Sequence, residues 1–380
     1  MALGGLKFRI NLSEQRSICL VAAWLIIVNI FAMLALNRLN LKPDTALEWM
    51  SPETFKPVQS WNIIDIHNRW DSYWYLNIVA NGYQYLGDKN QSNVVFFPVY
   101  PILVAAMKPF CGGNPVLAGW IVSSFFLVLS AIMLTRLTQE FHPDISDPLL
   151  PTTFMLVYPT AFYLNAVYSE SVFLFFSLAA VLCILRKNFA VAGLWIAFAS
   201  ATRVAGLFLC ILMVAEFVQE YGFRSLISWR AWPLAVAPMG AIVFFTYHWV
   251  EFGDFFLYFK AQKNFGRSFS PDSHFFDIRN NPHLAHTILE ILFTVLAIAL
   301  GIIAMVRLKI SYGLYMLTSL GIALSSGTTL GISRYSMVMF PIYLIAGTIR
   351  SSVGRMAWWL GSTLLLALNI IRFANHYWAG

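Results

Sequence analysis

NRWDSYWYLNIVANGYQYLGDKNQSNVVFFPVYP, residues 68–101, is a polar, acidic and aromatic interruption in an otherwise oily chain, and its reading decides how the rest is laid out. Its first half has a helical period. Trp70, Trp74 and Ile78 recur on one side, with Asp71 near the start, where the positive end of a helix dipole favours a carboxylate. An aspartate there is ordinarily a cap on a surface helix; a carboxylate serving a site is the sharper alternative. The second half runs into an apolar stretch, 94–110, that carries prolines at 98, 101 and 109 and Lys108. It is shorter than the roughly 20 residues a membrane span usually needs. Whether it crosses a membrane or lies along its surface fixes the sidedness of everything after it.

Hydrophobic residues make up 59% of the 380 and charged residues 11%, against about 25% charged in soluble domains. The chain therefore reads as an all-α, polytopic membrane protein forming a single domain over 1–380. Of its cysteines, Cys19, Cys183 and Cys210 lie in apolar runs and Cys111 in a loop, which is neither a disulfide framework nor a zinc pattern. A net charge of +7 raises the question of nucleic acid, but the basic residues are scattered through loops instead of gathered on one face. Membrane orientation explains them better, and no nucleic-acid partner is expected. The first apolar run, 17–36, follows Lys7, Arg9 and Arg16 and lacks a small-residue cleavage site, so it reads as a retained signal anchor with a cytoplasmic basic flank.

A long extracytoplasmic loop, 38–114, follows that anchor. Further apolar runs at about 115–135, 148–166, 168–185, 189–202, 204–220, 232–250, 286–306, 311–330, 334–349 and 355–373 bring the expected number of spans to eleven. If 94–110 does not span, Arg136, Arg186 with Lys187, Arg224 with Arg230, Arg307 with Lys309, and Arg350 with Arg355 all fall on the cytoplasmic side. If it spans, all of them move outside while the N-terminal cluster stays inside, against the positive-inside rule. The stretch is therefore expected to be a juxtamembrane helix.

The same parity gathers other polar groups on the outer face with Asp71: Tyr168-Ser169-Glu170, Arg203, the loop 251–286, and Ser333-Arg334-Tyr335. Charges collected at one membrane level need partners or a ligand, and the set suggests an anionic ligand at the outer leaflet. Each member has an ordinary alternative. Arg203 can be a snorkelling interfacial arginine, Arg334 the anchor of a span, and Glu170 a helix cap. FKAQKNFGRSF, with Lys260, Lys263 and Arg267 among aromatics, is most often a headgroup contact, a phosphate site being the sharper view. His67, His248 and His274 show no ligand spacing, and no metal or cofactor is assigned. No Gly-rich phosphate loop, Ser-His-Asp arrangement or internal repeat is visible.

Six landmarks in order, WDSYWYLNIVANGY, FFPVYP, YPTAFYLNAVYSESVF, ATRVAG, AQKNFGR and ISRYSMVMFP, resemble the PIG-V group of mannosyltransferases, membrane-integral GT-C glycosyltransferases, over about residues 65–345. The resemblance implies a GT-C-type helical bundle. It implies transfer of a sugar, in the family mannose, from a polyprenyl or dolichyl phosphate to a hydroxyl outside the cytoplasm, with inversion. The family's first outer loop carries an essential acidic residue and two nearly perpendicular helices, which Asp71 with its helix and the 94–110 run match. By motif match Asp71 is the expected general base and Glu170 a second acidic site residue. Arg203 and Arg334 are expected at the donor phosphate, with Arg69, Trp70, Tyr168, Lys263, Arg267 and Tyr335 completing the substrate-binding set. Enzymes of this kind with lipid monophosphate donors generally need no metal. The short loops are closer to bacterial relatives than to the eukaryotic GPI enzyme, which points to a bacterial inner membrane and away from a GPI acceptor. Glycolipid, glycan and protein acceptors stay open, as does the sugar. A transporter or flippase of lipid-linked sugar and a non-catalytic sugar-lipid-binding subunit are the competing classes.

Overall fold

The computed structural model describes residues 10–36, 63–267 and 284–379. Lys7 and Arg9 of the basic flank, residues 37–62 of the first outer loop, and residues 268–283 with His274 lie outside the described residues. Every regular element described is helical, as the composition predicts. In chain order these are α1 (Leu12–Ala35), α2 (Ser72–Asn81), α3 (Val99–Met107), α4 (Pro115–Phe141), α5 (Leu150–Leu156), α6 (Glu170–Leu185), α7 (Phe189–Ser200) and α8 (Leu209–Tyr221). There follow α9 (Trp232–Val236), α10 (Met239–Phe252), α11 (Leu257–Ala261), α12 (Leu284–Arg307), α13 (Ile310–Leu324), α14 (Ile332–Met337), α15 (Pro341–Gly347) and α16 (Ser352–Ala374), joined by turns and short 3₁₀ segments.

The starts of the long helices are written in the sequence. Asn11 and Glu14 form a reciprocal capping box on α1. Asn114 Oδ1 accepts from Val116 N and Leu117 N, each at 3.0 Å, ahead of Pro115 on α4. Apolar on every side, α6 is buried along nearly its whole length, with α4 and α7 packed against it as the centre of the bundle. Helix α10 comes close to α7 because Gly240 has no side chain: a Cβ there would lie 1.8 Å from Ala197 O.

Among the described residues five helices are long and apolar enough to cross a membrane by length and composition, or six if the bent pair Trp229–Val236 and Met239–Phe252 is one span. The other apolar runs form helices that are short, such as α6, α7 and α13, or broken, as between α14 and α15. Eleven crossings require these to cross as well. Within 94–110 the structure forms α3 and the 3₁₀ turn Lys108–Cys111. At 1.5 Å per residue the nine residues of α3 rise only about 14 Å, less than half a bilayer core. It packs on α2 and α4 beside the candidate site.

Ion pairs join the helix ends far from Asp71. Arg136 of α4 meets Glu14 of α1 at 2.6 Å, and Arg186 pairs with Glu140. Lys187 meets Glu220 at 3.1 Å, and Lys309 meets Glu216 of α8 at 3.0 Å. Four of the basic residues that the charge pattern assigns to one face, Arg136, Arg186, Lys187 and Lys309, are thus tied to acids of neighbouring helices, while Glu170 lies at the opposite end of α6 from Arg186.

Candidate functional site

Breaks in the helices create the site. The residues 157–169 between α5 and α6, the extended turn at Arg203 (φ −155°, ψ 147°), and Gly331 (φ 83°) ahead of α14 put non-helical backbone and charged side chains into the interior. Irregular backbone at such depth is tolerated where it lines a cavity or is buried in protein. Arg334 links the acidic residues: its Nη1 donates to Asp71 Oδ2 at 2.6 Å and its Nε to Glu170 Oε1 at 2.5 Å. Arg203 Nη1 donates to the same Glu170 oxygen at 2.6 Å and to Ser169 Oγ at 3.3 Å. Asp71 and Arg334 are 263 residues apart in sequence.

Asp71 occupies the N-cap position of α2, but its side chain makes no capping bond; it turns instead to Arg334. Tyr168 holds both partners. Its hydroxyl accepts from Asp71 N at 3.1 Å and donates to Arg69 O at 2.9 Å, and its ring lies 4.7 Å from the Arg334 guanidinium carbon. The Tyr163 ring lies 5.0 Å from that carbon. Immediately before Asp71, Trp70 has φ 56°, a left-handed conformation rare for a bulky residue. Its ring meets Trp378 edge-on at 5.0 Å.

A cavity of about 170 Å³ opens on this cluster. Asp71, Arg203, Arg267 and Arg334 line it, and aromatic and aliphatic side chains including Phe96, Phe97, Phe259 and Met339 form much of the remaining wall. The Asp71 side chain is 23% exposed, whereas that of Glu170 is 0% exposed and outside the lining. Glu170 is therefore placed to set the two arginines, and Asp71 to meet what enters.

The other sequence-derived candidates separate. Arg267 and Tyr335 line the cavity, with Arg267 Nη2 donating to the Tyr335 hydroxyl. The Tyr335 ring also lies 5.8 Å from the Arg203 guanidinium carbon. Lys263 is exposed and outside the lining. Arg69 is buried and points away, donating to Asp65 O, to Asn68 O and to Ala374 O. Burial pushes its pKa down to about 10, opposed by Asp65. Trp70 and Tyr168 are buried behind the cavity and outside its lining. Tyr75, Tyr258 and Gln262 line the cavity without having been singled out in the sequence, although Tyr75 is one helical turn after Asp71 and Gln262 one after Tyr258. Glu290 of α12, also unremarked, accepts from Ser333 N at 2.9 Å and Ser333 Oγ at 2.6 Å and so holds the start of α14 beside Arg334. Among the described residues no three His, Cys, Asp or Glu side chains form a group suited to a metal ion.

Solved structures of the oligosaccharyltransferase of Archaeoglobus fulgidus share a likeness to this chain. The apo form matches with a TM-score of 0.46 at 13% identity, and the AglB complex with an inhibitory peptide and a dolichol-phosphate with 0.44 at 13%. The form tethered to an acceptor peptide matches with 0.43 at 12%. Each match covers 95% of this chain, which spans 55–56% of the length of those proteins. No curated protein matches the sequence. The family description mannosyltransferase (PIG-V) matches residues 16–263, well over half of the chain. That region includes Asp71, Glu170 and Arg203 and stops short of Arg267 and Arg334. The chain belongs to the mannosyltransferase (PIG-V) family.

Proposed function

We propose that this multi-pass membrane protein, in a bacterial inner membrane, transfers a hexose, mannose by its family, from a polyprenyl or dolichyl phosphate to a hydroxyl on the extracytoplasmic side. The observation that carries this reading is a cavity, largely apolar in its lining, that is also lined by the partly exposed Asp71 carboxylate, its partner Arg334, and two further guanidiniums, Arg203 and Arg267. A sugar on a lipid phosphate already has a good leaving group. What the reaction asks of the protein is a base for the acceptor hydroxyl and positive charge for the departing phosphate.

In the proposed step the acceptor oxygen attacks the anomeric carbon while Asp71 takes its proton. The bond from that carbon to the phosphate oxygen breaks, and its electron pair leaves with the lipid phosphate. Arg203, Arg334 and Arg267 meet the charge as it develops, arginine suiting phosphate through its planar fork of donors. One displacement inverts the anomeric centre. The apolar walls fit the beginning of a prenyl chain. Glu170 keeps the two arginines in place without touching substrate. The acceptor is a glycan, a glycolipid or a protein.

Purified protein supplied with radiolabelled polyprenyl-phosphate mannose and candidate acceptors tests this. Lipid phosphate is expected to be released in step with labelled product. Movement of the intact labelled donor across vesicle membranes without release would instead establish a transporter, and donor binding with no turnover on any acceptor class a non-catalytic subunit.

A further inference from the structure

A second feature lies at the other end of the molecule. The helical stretch Val204–Tyr221 begins beside Arg203 and, at 1.5 Å per residue, carries the chain roughly 27 Å away from the cavity. There the sequence GFRSLISWRAW, residues 222–232, turns back into the bent pair α9 and α10 through the 3₁₀ turns Phe223–Ile227 and Trp229–Ala231. Its large apolar side chains face outward: Phe223 is 78% exposed, Ile227 94%, Trp229 80% and Trp232 48%.

The backbone and the serine hydroxyls of the segment bond to one another. Ser225 N bonds Gly222 O at 3.1 Å, while Ser228 N bonds Ser225 O and Ala231 N bonds Ser228 O, both at 3.0 Å. The serine hydroxyls also serve carbonyls of the segment, Ser225 Oγ that of Gly222 and Ser228 Oγ that of Ser225. A backbone satisfied internally beneath an apolar surface suits a low-dielectric surround. Arg224 and Arg230 are exposed among these side chains, and among the described residues neither forms an ion pair. The nearby Glu220 is held by Lys187, and Arg230 lies over the Tyr221 ring at 5.9 Å.

We propose that residues 222–232 form a binding site for an acidic phospholipid in the leaflet opposite the candidate active site. Phe223, Ile227 and Trp229 enter the boundary between headgroups and acyl chains, where an aromatic belt is favourable. Arg224 and Arg230 hold the anionic headgroup. A zwitterionic headgroup carries its own ammonium and gains less from two guanidiniums that have no carboxylate between them. Val204–Tyr221 on one side, and on the other the bent pair Trp229–Val236 with Met239–Phe252 taken as one span, are long and apolar enough to cross a membrane, so the segment joins two stretches suited to lipid contact.

Native mass spectrometry of the full chain, delipidated in detergent and titrated with dioleoylphosphatidylglycerol or dioleoylphosphatidylcholine, tests the site. Each basic residue at an anionic surface favours the acidic lipid about fivefold, so the parent is expected to prefer phosphatidylglycerol by about thirtyfold and R224Q/R230Q to fall to about parity. Should the double variant not fold, R224Q and R230Q alone are each expected to lose about fivefold of the preference. Equal binding of the two lipids by the parent would overturn the proposal. So would a folded R224Q/R230Q, or both folded single variants, keeping the parent's preference.

Discussion

Tyr168 is a single side chain on which the acidic loop and the arginine opposite it both rest, its hydroxyl under the Asp71 backbone and its ring against Arg334. Tyr168→Phe keeps the ring and removes the hydroxyl, so it is expected to lower turnover about tenfold through looser positioning of Asp71 while donor affinity stays near the parent's. Asp71→Asn cannot accept a proton and is expected to lower turnover by about two to four powers of ten. Arg203→Ala or Arg334→Lys is expected to weaken donor binding by roughly one to two powers of ten in equilibrium titration, each lost charge-assisted contact contributing about 1.5–3 kcal/mol. Unchanged affinity in both would remove them from the phosphate site. Glu170→Ala strips a buried carboxylate from two arginines and is expected to cost about 3–5 kcal/mol of stability, measurable as a lower unfolding temperature. Asp71, Arg203 and Arg334 are visible in the sequence as polar exceptions in apolar surroundings. The parts played by Tyr168, Arg69 and Glu290 are not, because a tyrosine in an aromatic run, or a charge in a loop or an apolar helix, does not declare which way it will face. The bond from Tyr168 to Arg69 joins residues 99 positions apart.

Between helices, close approach is set by what is missing from the side chains. Gly240→Ala would drive a methyl group into the Ala197 carbonyl and is expected to destabilise by about 1–3 kcal/mol or more as α10 is pushed off α7. Gly361→Ala on α16 meets nothing within 4 Å and is expected to be neutral or slightly stabilising. Thermal unfolding of both in one detergent checks the contrast. Near the site, His67 stacks on Trp120 at 4.6 Å. Burial, with Arg69 adding to it, pushes its pKa down to about 3 against an opposing bond from the Asn165 backbone. The unfolded chain therefore binds the extra proton first. Stability from this group is full above about pH 6.5 and is lost as pH falls toward 3, by about 2 kcal/mol at pH 5. His67→Phe keeps the stacking and is expected to remove that part of the acid sensitivity in unfolding curves taken between pH 7 and pH 5. Capped starts such as Asn11 and Asn114 could be read in advance. The break between α14 and α15 is legible too, because Pro341, the first residue of α15, lacks the N–H a continuing helix needs, although the run 334–349 reads as one span by its hydropathy.

Across the whole molecule, the charge pattern of the loops and the ion pairs of the structure sort the helix ends in the same way, with Arg136, Arg186, Lys187 and Lys309 at one end and the candidate site at the other. In intact cells Lys89→Cys is expected to react with a membrane-impermeant maleimide, and Arg350→Cys only after permeabilisation. The reverse pattern would invert the orientation, and labelling of both from one side would break the two-ended arrangement. The loop before Asp71 is also fastened from far downstream, Arg69 Nη2 to Ala374 O at 3.4 Å and Trp70 against Trp378. Those partners follow Arg69 by about 305 residues. At ribosomal speeds of about 5–20 residues per second, roughly 15–60 s separate synthesis of the two. During that interval the left-handed turn at Trp70 lacks the neighbours that hold it, and Arg334 has not been made for most of it. With Asp71 acting as proposed, a nascent chain delivers its carboxylate well before the arginine that faces it exists, and activity is expected only after Arg334 has left the ribosome.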